Sequence, residues 1–276
     1  MRPSWLGTHA TPSTMAWTNA YKPPLAAAPL HQAELLGPEP YDINWVFPIH
    51  QESLENERVK LVPFIPRVHG DQFWAETSKD PLFFRYYTSI WHDKEEWLTW
   101  AERDVRRDPT SIYFAVIDKT RSDPEHPTWG GSLAGGLGFF WASDAHLSLE
   151  IAYIAIFPAF QRTHVASNAI GVLMRYCFEL PTANPPGLGL RRVQWRAHHK
   201  NVPSVRLAER MGFKREGCVR WIWAVAEERA MDGIMPREGD RWPERYGRHA
   251  IMLSTCWDDW EGGVREVVLR QMERQK

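Results

Sequence analysis

The chain has 276 residues, room for one large domain or two small ones, and its 43% hydrophobic and 24% charged residues are the balance of a water-soluble globular protein. A formal net charge of −1 gives no electrostatic reason to expect nucleic acid or an anionic membrane as partner, and no run approaches the roughly 18 apolar residues of a membrane span. Cys177, Cys218 and Cys256 form no Cys-x-x-Cys pair, so neither a zinc site nor a disulfide framework is expected and a reducing, intracellular setting is.

In chain order, residues 1–45 are rich in Pro, Ala and Thr and read as an extended or partly disordered N-terminal extension. They lack the apolar core of a secretory signal. The cytoplasm is the expected location; Arg2, Lys22 and the absence of an acid before Glu34 keep a mitochondrial presequence as the alternative. Residues 56–65 read as a strand that Pro63 confines to a sheet edge. Two helical patterns follow, His69 to Thr77 and Trp91 to Val105, the second with Trp97, Leu98, Ala101 and Val105 on one face and Asp108-Pro109 as its stop. Residues 111–118 are a buried strand, 119–131 a loop by their Asp-Pro, His-Pro and Gly-Gly signals, and 132–142 a glycine-rich strand.

The stretch 147–180 is the informative one. An apolar strand to Phe157 ends at Pro158, a polar loop spans Ala159 to His164, and an amphipathic helix runs from Val165 to Phe178, which is how chains build anion sites from backbone N–H groups. After a Pro/Gly loop, Arg191 to His198 alternates Val193, Trp195 and Ala197 with Arg192, Gln194 and Arg196, a strand with one wet face. Asn201 is an N-cap with Pro203 in the first turn, and the helix Val202 to Met211 stops at Gly212. Residues 217–226 and 248–256 read as a closing hairpin with a long charged connection, and 262–276 as a charged helix. The order gives a mixed α/β sheet with one βαβ crossover, 147–198.

The run 150–217, with EIAYIAIFPAFQRTHVASNAI and LRRVQWRAHHKNVPSVRLAERMGFKREG, resembles the GNAT N-acetyltransferases, and within them the branch that includes the ribosomal-protein N-terminal acetyltransferases and uncharacterised fungal and bacterial members. The resemblance implies an α+β acyl-CoA N-acyltransferase fold, a central, mixed, strongly twisted sheet flanked by helices. The domain would span 46–260, between the 1–45 extension and a charged C-terminal helix at 261–276. It also implies acetyl-CoA as cosubstrate and no metal. The pantetheine arm would pair with the strand backbone at Ile154, Ala155 and Ile156. The pyrophosphate would sit on Gln161, Arg162, Thr163, His164, Val165, Ala166 and Ser167, with Asn201 on the pantetheine and Ser204 near the sulfur. The strand 191–198 would splay away to leave a thioester slot. One departure stands out: the family loop carries glycine where this chain has His164, and Arg162 is the residue able to offset that by direct phosphate contact.

Acetyl transfer needs a base for the amine, donors for the oxyanion and a proton for the thiolate. Glu150 is the first candidate base, acting through a water; the alternative is a surface glutamate or one paired with Arg192 or Arg196. His199 and His198 are further candidates by residue type, with His146 and His164 behind them. Ser204 is the candidate thiol proton donor, or an ordinary first-turn serine. Trp91, Trp97, Trp141, Trp195, Trp221 and Trp223 are core residues or an aromatic acceptor pocket, and 227–247 is a lid over that pocket or a hairpin tip. The expected reaction is direct attack in a ternary complex on a primary amine, with a small molecule as the first acceptor class and a protein N-terminus as the second. A CoA-binding or interaction module without catalysis is the reading of another class. The closing hairpin and charged tail are candidate homodimer contacts.

Overall fold

The computed structural model describes residues 17–25, 27–231 and 234–274, so Arg2 and most of the candidate leader lie outside the described residues, as do residues 232–233 and 275–276. The chain divides into two units, Met1–Leu30 and His31–Lys276. In the first, the described residues carry no helix or strand and are mostly exposed.

In the second unit seven strands form one sheet: β1 (Val59–Pro63), β2 (Ile112–Asp118), β3 (Ser132–Ser143), β4 (Ser148–Ile156), β5 (Arg192–His198), β6 (Lys214–Ala226) and β7 (Arg245–Cys256). Their order is β1-β2-β3-β4-β5-β7-β6. Neighbours are antiparallel except β4 and β5, which the crossover through a helix makes parallel. The expected mixed sheet flanked by helices is the observed one, and Pro63 does end an edge strand.

The pleat sorts the core onto two faces. On one lie α1 (Pro66–Thr77) and α2 (Lys94–Trp100). Phe73 of α1 stacks on Trp97 of α2 at 5.0 Å, and Trp100 of α2 meets Tyr113 of β2 and Phe140 of β3. On the other lie α3 (His164–Phe178), α4 (Val202–Arg210) and α5 (Arg265–Glu273). There Phe139, the neighbour of Phe140, stacks on Tyr176 of α3, and Trp195 of β5 meets Phe213 just after α4. Buried Asn168 of α3 donates to the carbonyls of His164 and Met272 and accepts from Asn56, which ties the first turn of α3 to the end of α5.

Three elements differ from expectation. The helix expected from Trp91 starts at Lys94, because Asp93 caps it by accepting from Glu96 N–H at 2.9 Å, and it continues past Trp100 as a wide turn, Ala101–Arg106. The C-terminal helix starts at Arg265, after a kink where Gly263 has φ +122°. The polar face of β5 is less open than expected: Arg192, Gln194 and Arg196 alternate with buried Val193, Trp195 and Ala197 but are each partly covered. From His31 on, the N-terminal segment is tied to the unit by a Glu34–Arg107 ion pair at 2.7 Å and by Arg67 donating to the Leu36 and Gly37 carbonyls.

Gly135 of β3 sets how closely β3 and β4 approach. Its φ is +145°, and a Cβ there would stand 2.0 Å from the Ala155 carbonyl oxygen. The expected result of Gly135→Ala is a loss of roughly 2 kcal/mol or more, from backbone strain plus displacement of β4, read as a lower denaturation midpoint in urea.

Candidate active site

β4 and β5 pair at three positions, Ser148↔Arg192, Leu149↔Val193 and Glu150↔Gln194, and then separate although both strands continue. A bulge in β4 accompanies the separation: Ala152 pairs with Gly138 and Ala155 with Gly136, so Tyr153 and Ile154 stand opposite Leu137 alone. Tyr153 takes φ +51°, and its carbonyl accepts from the Tyr113 hydroxyl at 3.1 Å. A bulge bends its strand and adds twist, and here it accompanies a fork in the middle of the sheet. The β4 edge from Ile151 to Ile156 has no partner on β5, so an extended chain with its own amides fits there.

Glu150 is the last paired residue, at the vertex. Its partner across β3 is Phe140, which touches Trp100, so the carboxylate lies on the α1–α2 face. It is 2% exposed. Oε2 accepts from Arg196 Nε at 2.5 Å and from Gln194 Nε2 at 3.2 Å. Burial pushes its pKa up to about 7, although Arg196 pulls the other way. The side chain is therefore ion-paired with Arg196, one of the two arginines foreseen, and also close to neutral in its titration.

At the start of α3 the Thr163 hydroxyl caps the helix, accepting from Val165 N–H at 3.3 Å and donating to the Phe160 carbonyl. Gln161 donates to the Ile156 carbonyl at 2.9 Å. His164, where the resemblance expects glycine, is the first helical residue, and its Nε2 meets fully buried Asp118 Oδ1 at 3.2 Å. The left-handed residue is Arg162, φ +59°, two positions earlier. Val165 buries its side chain, while Ala166 and Ser167 are partly exposed in the first turn. The first turn of this helix has backbone N–H groups with no intrahelical partner, beside exposed Arg162.

At the open end of the fork, Asn201 Oδ1 caps α4 by accepting from Ser204 N–H. The Ser204 hydroxyl accepts from the Trp195 indole at 3.0 Å, which leaves its own hydrogen to donate. His199 stacks on His198 at 4.8 Å and lies 5.8 Å from His249, a cluster beyond the end of β5 that also meets Tyr86. Trp91 and Trp100 line a groove of about 560 Å³ beside α2 with Asp93, Glu96, Arg103 and Asp104. Trp97 and Trp195 are core. Trp141 and Trp223 both face Arg196, a grouping that no sequence spacing signals. The base of 227–247 is anchored: Arg229 donates to the Phe84 carbonyl, Lys200 to Met231 and Arg248 to Tyr86.

A model of the acetyltransferase (GNAT) domain matches residues 58–214. No curated protein matches the sequence. Among solved structures, a GCN5-related N-acetyltransferase from Brucella melitensis is 25% identical, with 79% of this chain and 84% of that one covered and a TM-score of 0.60. A spermidine N-acetyltransferase from Vibrio cholerae, in complex with CoA and spermine, is 16% identical over 75% of this chain and 99% of its own, with a TM-score of 0.53. RimJ of Mycobacterium smegmatis, in complex with CoA-disulfide, is 16% identical over 77% and 88%, at 0.54.

The raised Glu150 pKa carries a stability signature. Its folded pKa lies above its unfolded value, so its contribution is complete below pH 4.5 and is lost as pH rises to about 7. Relative to Glu150→Gln, the wild type should lose up to roughly 3 kcal/mol across that window and level off above it. Denaturation curves over a pH series read this directly.

Proposed function

The chain belongs to the GNAT acetyltransferase family, and on that premise we propose that it moves an acetyl group from acetyl-CoA to a primary amine of a small molecule, by direct attack in a ternary complex. The observation that carries this reading is the fork: a strand edge left open at Ile151–Ile156, with a buried carboxylate at its vertex and a serine at its open end.

Acetyl-CoA supplies the activated acetyl thioester. The residues of the chain divide the remaining work. The open β4 edge at Ile154, Ala155 and Ile156 offers backbone groups to the pantetheine arm, and Asn201, whose Oδ1 caps α4, keeps its amide N–H groups for it. The loop and first turn from Gln161 to Ser167, through the backbone N–H groups that the Thr163 cap and the 157–161 turn leave open, and the Arg162 guanidinium hold the pyrophosphate. His164 serves there through its backbone, since its ring is turned to Asp118. Glu150 takes the amine proton through a water; a pKa near 7 suits a base at neutral pH. Ser204 Oγ gives its hydrogen to the departing sulfur. His199 is the alternative base, but its stacking against His198 ties its ring to a different cluster.

The groove beside α2 supports a small amine as acceptor: it joins two indoles to carboxylates at Asp93, Glu96 and Asp104. We assign the 227–247 segment as a cover for this side, because its Arg229 reaches the connection between α1 and α2 at Phe84, beside the contact of Arg248 of β7 to Tyr86. Deleting 229–244 should raise KM for the acceptor severalfold while leaving that for acetyl-CoA alone; unchanged acceptor kinetics would remove the cover from the account.

Acetyl-CoA should raise the melting temperature of the protein, and thiol release over an amine panel should then identify the acceptor class. Asn201→Ala combined with Ser204→Ala should lower turnover at least about tenfold, or 1.4 kcal/mol of barrier. No thermal shift with acetyl-CoA contradicts the enzymatic reading, and full turnover in the double variant contradicts the two assigned roles.

A further inference from the structure

Arg196 does more than neutralise a carboxylate. Its guanidinium carbon lies 4.0 Å from the ring centre of Trp141 and 5.2 Å from that of Trp223, so two indoles from β3 and β6 grip the cation that β5 presents. Both rings sit at irregularities. Trp141 has φ +50° where the β3 register against β4 shifts, and Trp223 resumes pairing after the β6 register against β7 shifts between Val219 and Trp223. A tryptophan at positive φ is strained, and such strain persists where the surroundings require it. Trp141 is also 48% exposed, a poor use of an indole for core packing. Placed elsewhere on a regular strand, neither ring would need this backbone.

We propose that Arg196 is a positioning residue, clamped between Trp141 and Trp223 so that it holds the Glu150 carboxylate in one orientation at the vertex of the fork. The inference rests on Glu150 as the base. Glu150 is fixed through Oε2, by Arg196 Nε and Gln194 Nε2. The charged group that faces it from β5 is Arg196. β3 contributes Phe140 and Trp141, and β6 contributes Trp223. Tyr153 of β4 shares this face, with Asp104 from the wide turn after α2 acting on it. A guanidinium suits the clamp because it is flat enough to lie between rings and still donate along its edge; an ammonium is not.

The test is the pH dependence of kcat/KM in three variants, with KM for acetyl-CoA and the melting temperature as controls. In Arg196→Met the acid limb should move up by about one pH unit or more, because the buried carboxylate has lost its cation, while KM for acetyl-CoA stays within about twofold. In Arg196→Lys, which keeps the charge, the limb should stay close to the wild-type position while kcat falls at least about fivefold, because the carboxylate is no longer oriented. A uniform loss in Arg196→Met with an unmoved limb, or a full rate in Arg196→Lys, overturns the clamp. If Arg196→Met does not fold, the Arg196→Lys rate decides. Glu150→Gln separates this from the parent reading: wild-type activity there removes Glu150 as base, whereas inactivity there with an unmoved limb in Arg196→Met removes the clamp alone.

Discussion

The site depends on a ladder that stops. Central strands of a sheet normally satisfy their backbone groups on both sides, and a buried amide without a partner is unfavourable by about 1–3 kcal/mol. β4 and β5 abandon each other after three pairs in the middle of a seven-stranded sheet. The pairing on either side of them, β3 with β4 through its bulge and β5 with β7 without a break, holds the two strands apart at their open ends and together at the vertex. The opening is therefore a property of the whole sheet and not of a loop. It comes with a parallel-edged slot, a helix N-terminus below it and a polar vertex.

That vertex sets an electrostatic problem. A carboxylate with 2% exposure is disfavoured by desolvation, and one guanidinium at 2.5 Å does not cancel it. The result is a carboxyl group whose affinity for a proton lies well above that of an ordinary glutamate and close to that of a histidine. Left-handed non-glycine backbones occur along the strands and loop that build the site: Trp141 where β3 ends against β4, Tyr153 in the β4 bulge, and Arg162 in the loop that leads to α3. None is a glycine, and local strain held by packing is a mark of working parts of a protein.

Much of the frame was legible because it follows local rules. The all-apolar run of β2, the alternation of Val193, Trp195 and Ala197 in β5, and the Asn201 cap with Gly212 after α4 each need only short-range periodicity or a side chain that reaches its own backbone. The family was legible from the 150–217 run. What escaped is long-range. Arg196 was foreseen as one of two partners for Glu150, but its two indole neighbours come from β3 and β6, where the register shifts beside them, at Phe140/Ser143 and Val219/Trp223, carry no glycine or asparagine as a signal. The sequence shows His164 where the family has glycine; what it does not show is that the ring meets Asp118, 46 residues away, and that the left-handed residue is Arg162. The polar side of β5 looked solvent-facing because alternation reports two faces and not what covers them.

The most direct measurement is a crystal structure of the protein grown with CoA. The account predicts density for the pantetheine arm along Ile151–Ile156 between β4 and β5, the pyrophosphate against the first turn of α3, and the sulfur between Ser204 and the Glu150 vertex. CoA bound away from the fork, or β4 and β5 paired along their length with the ligand excluded, would contradict it.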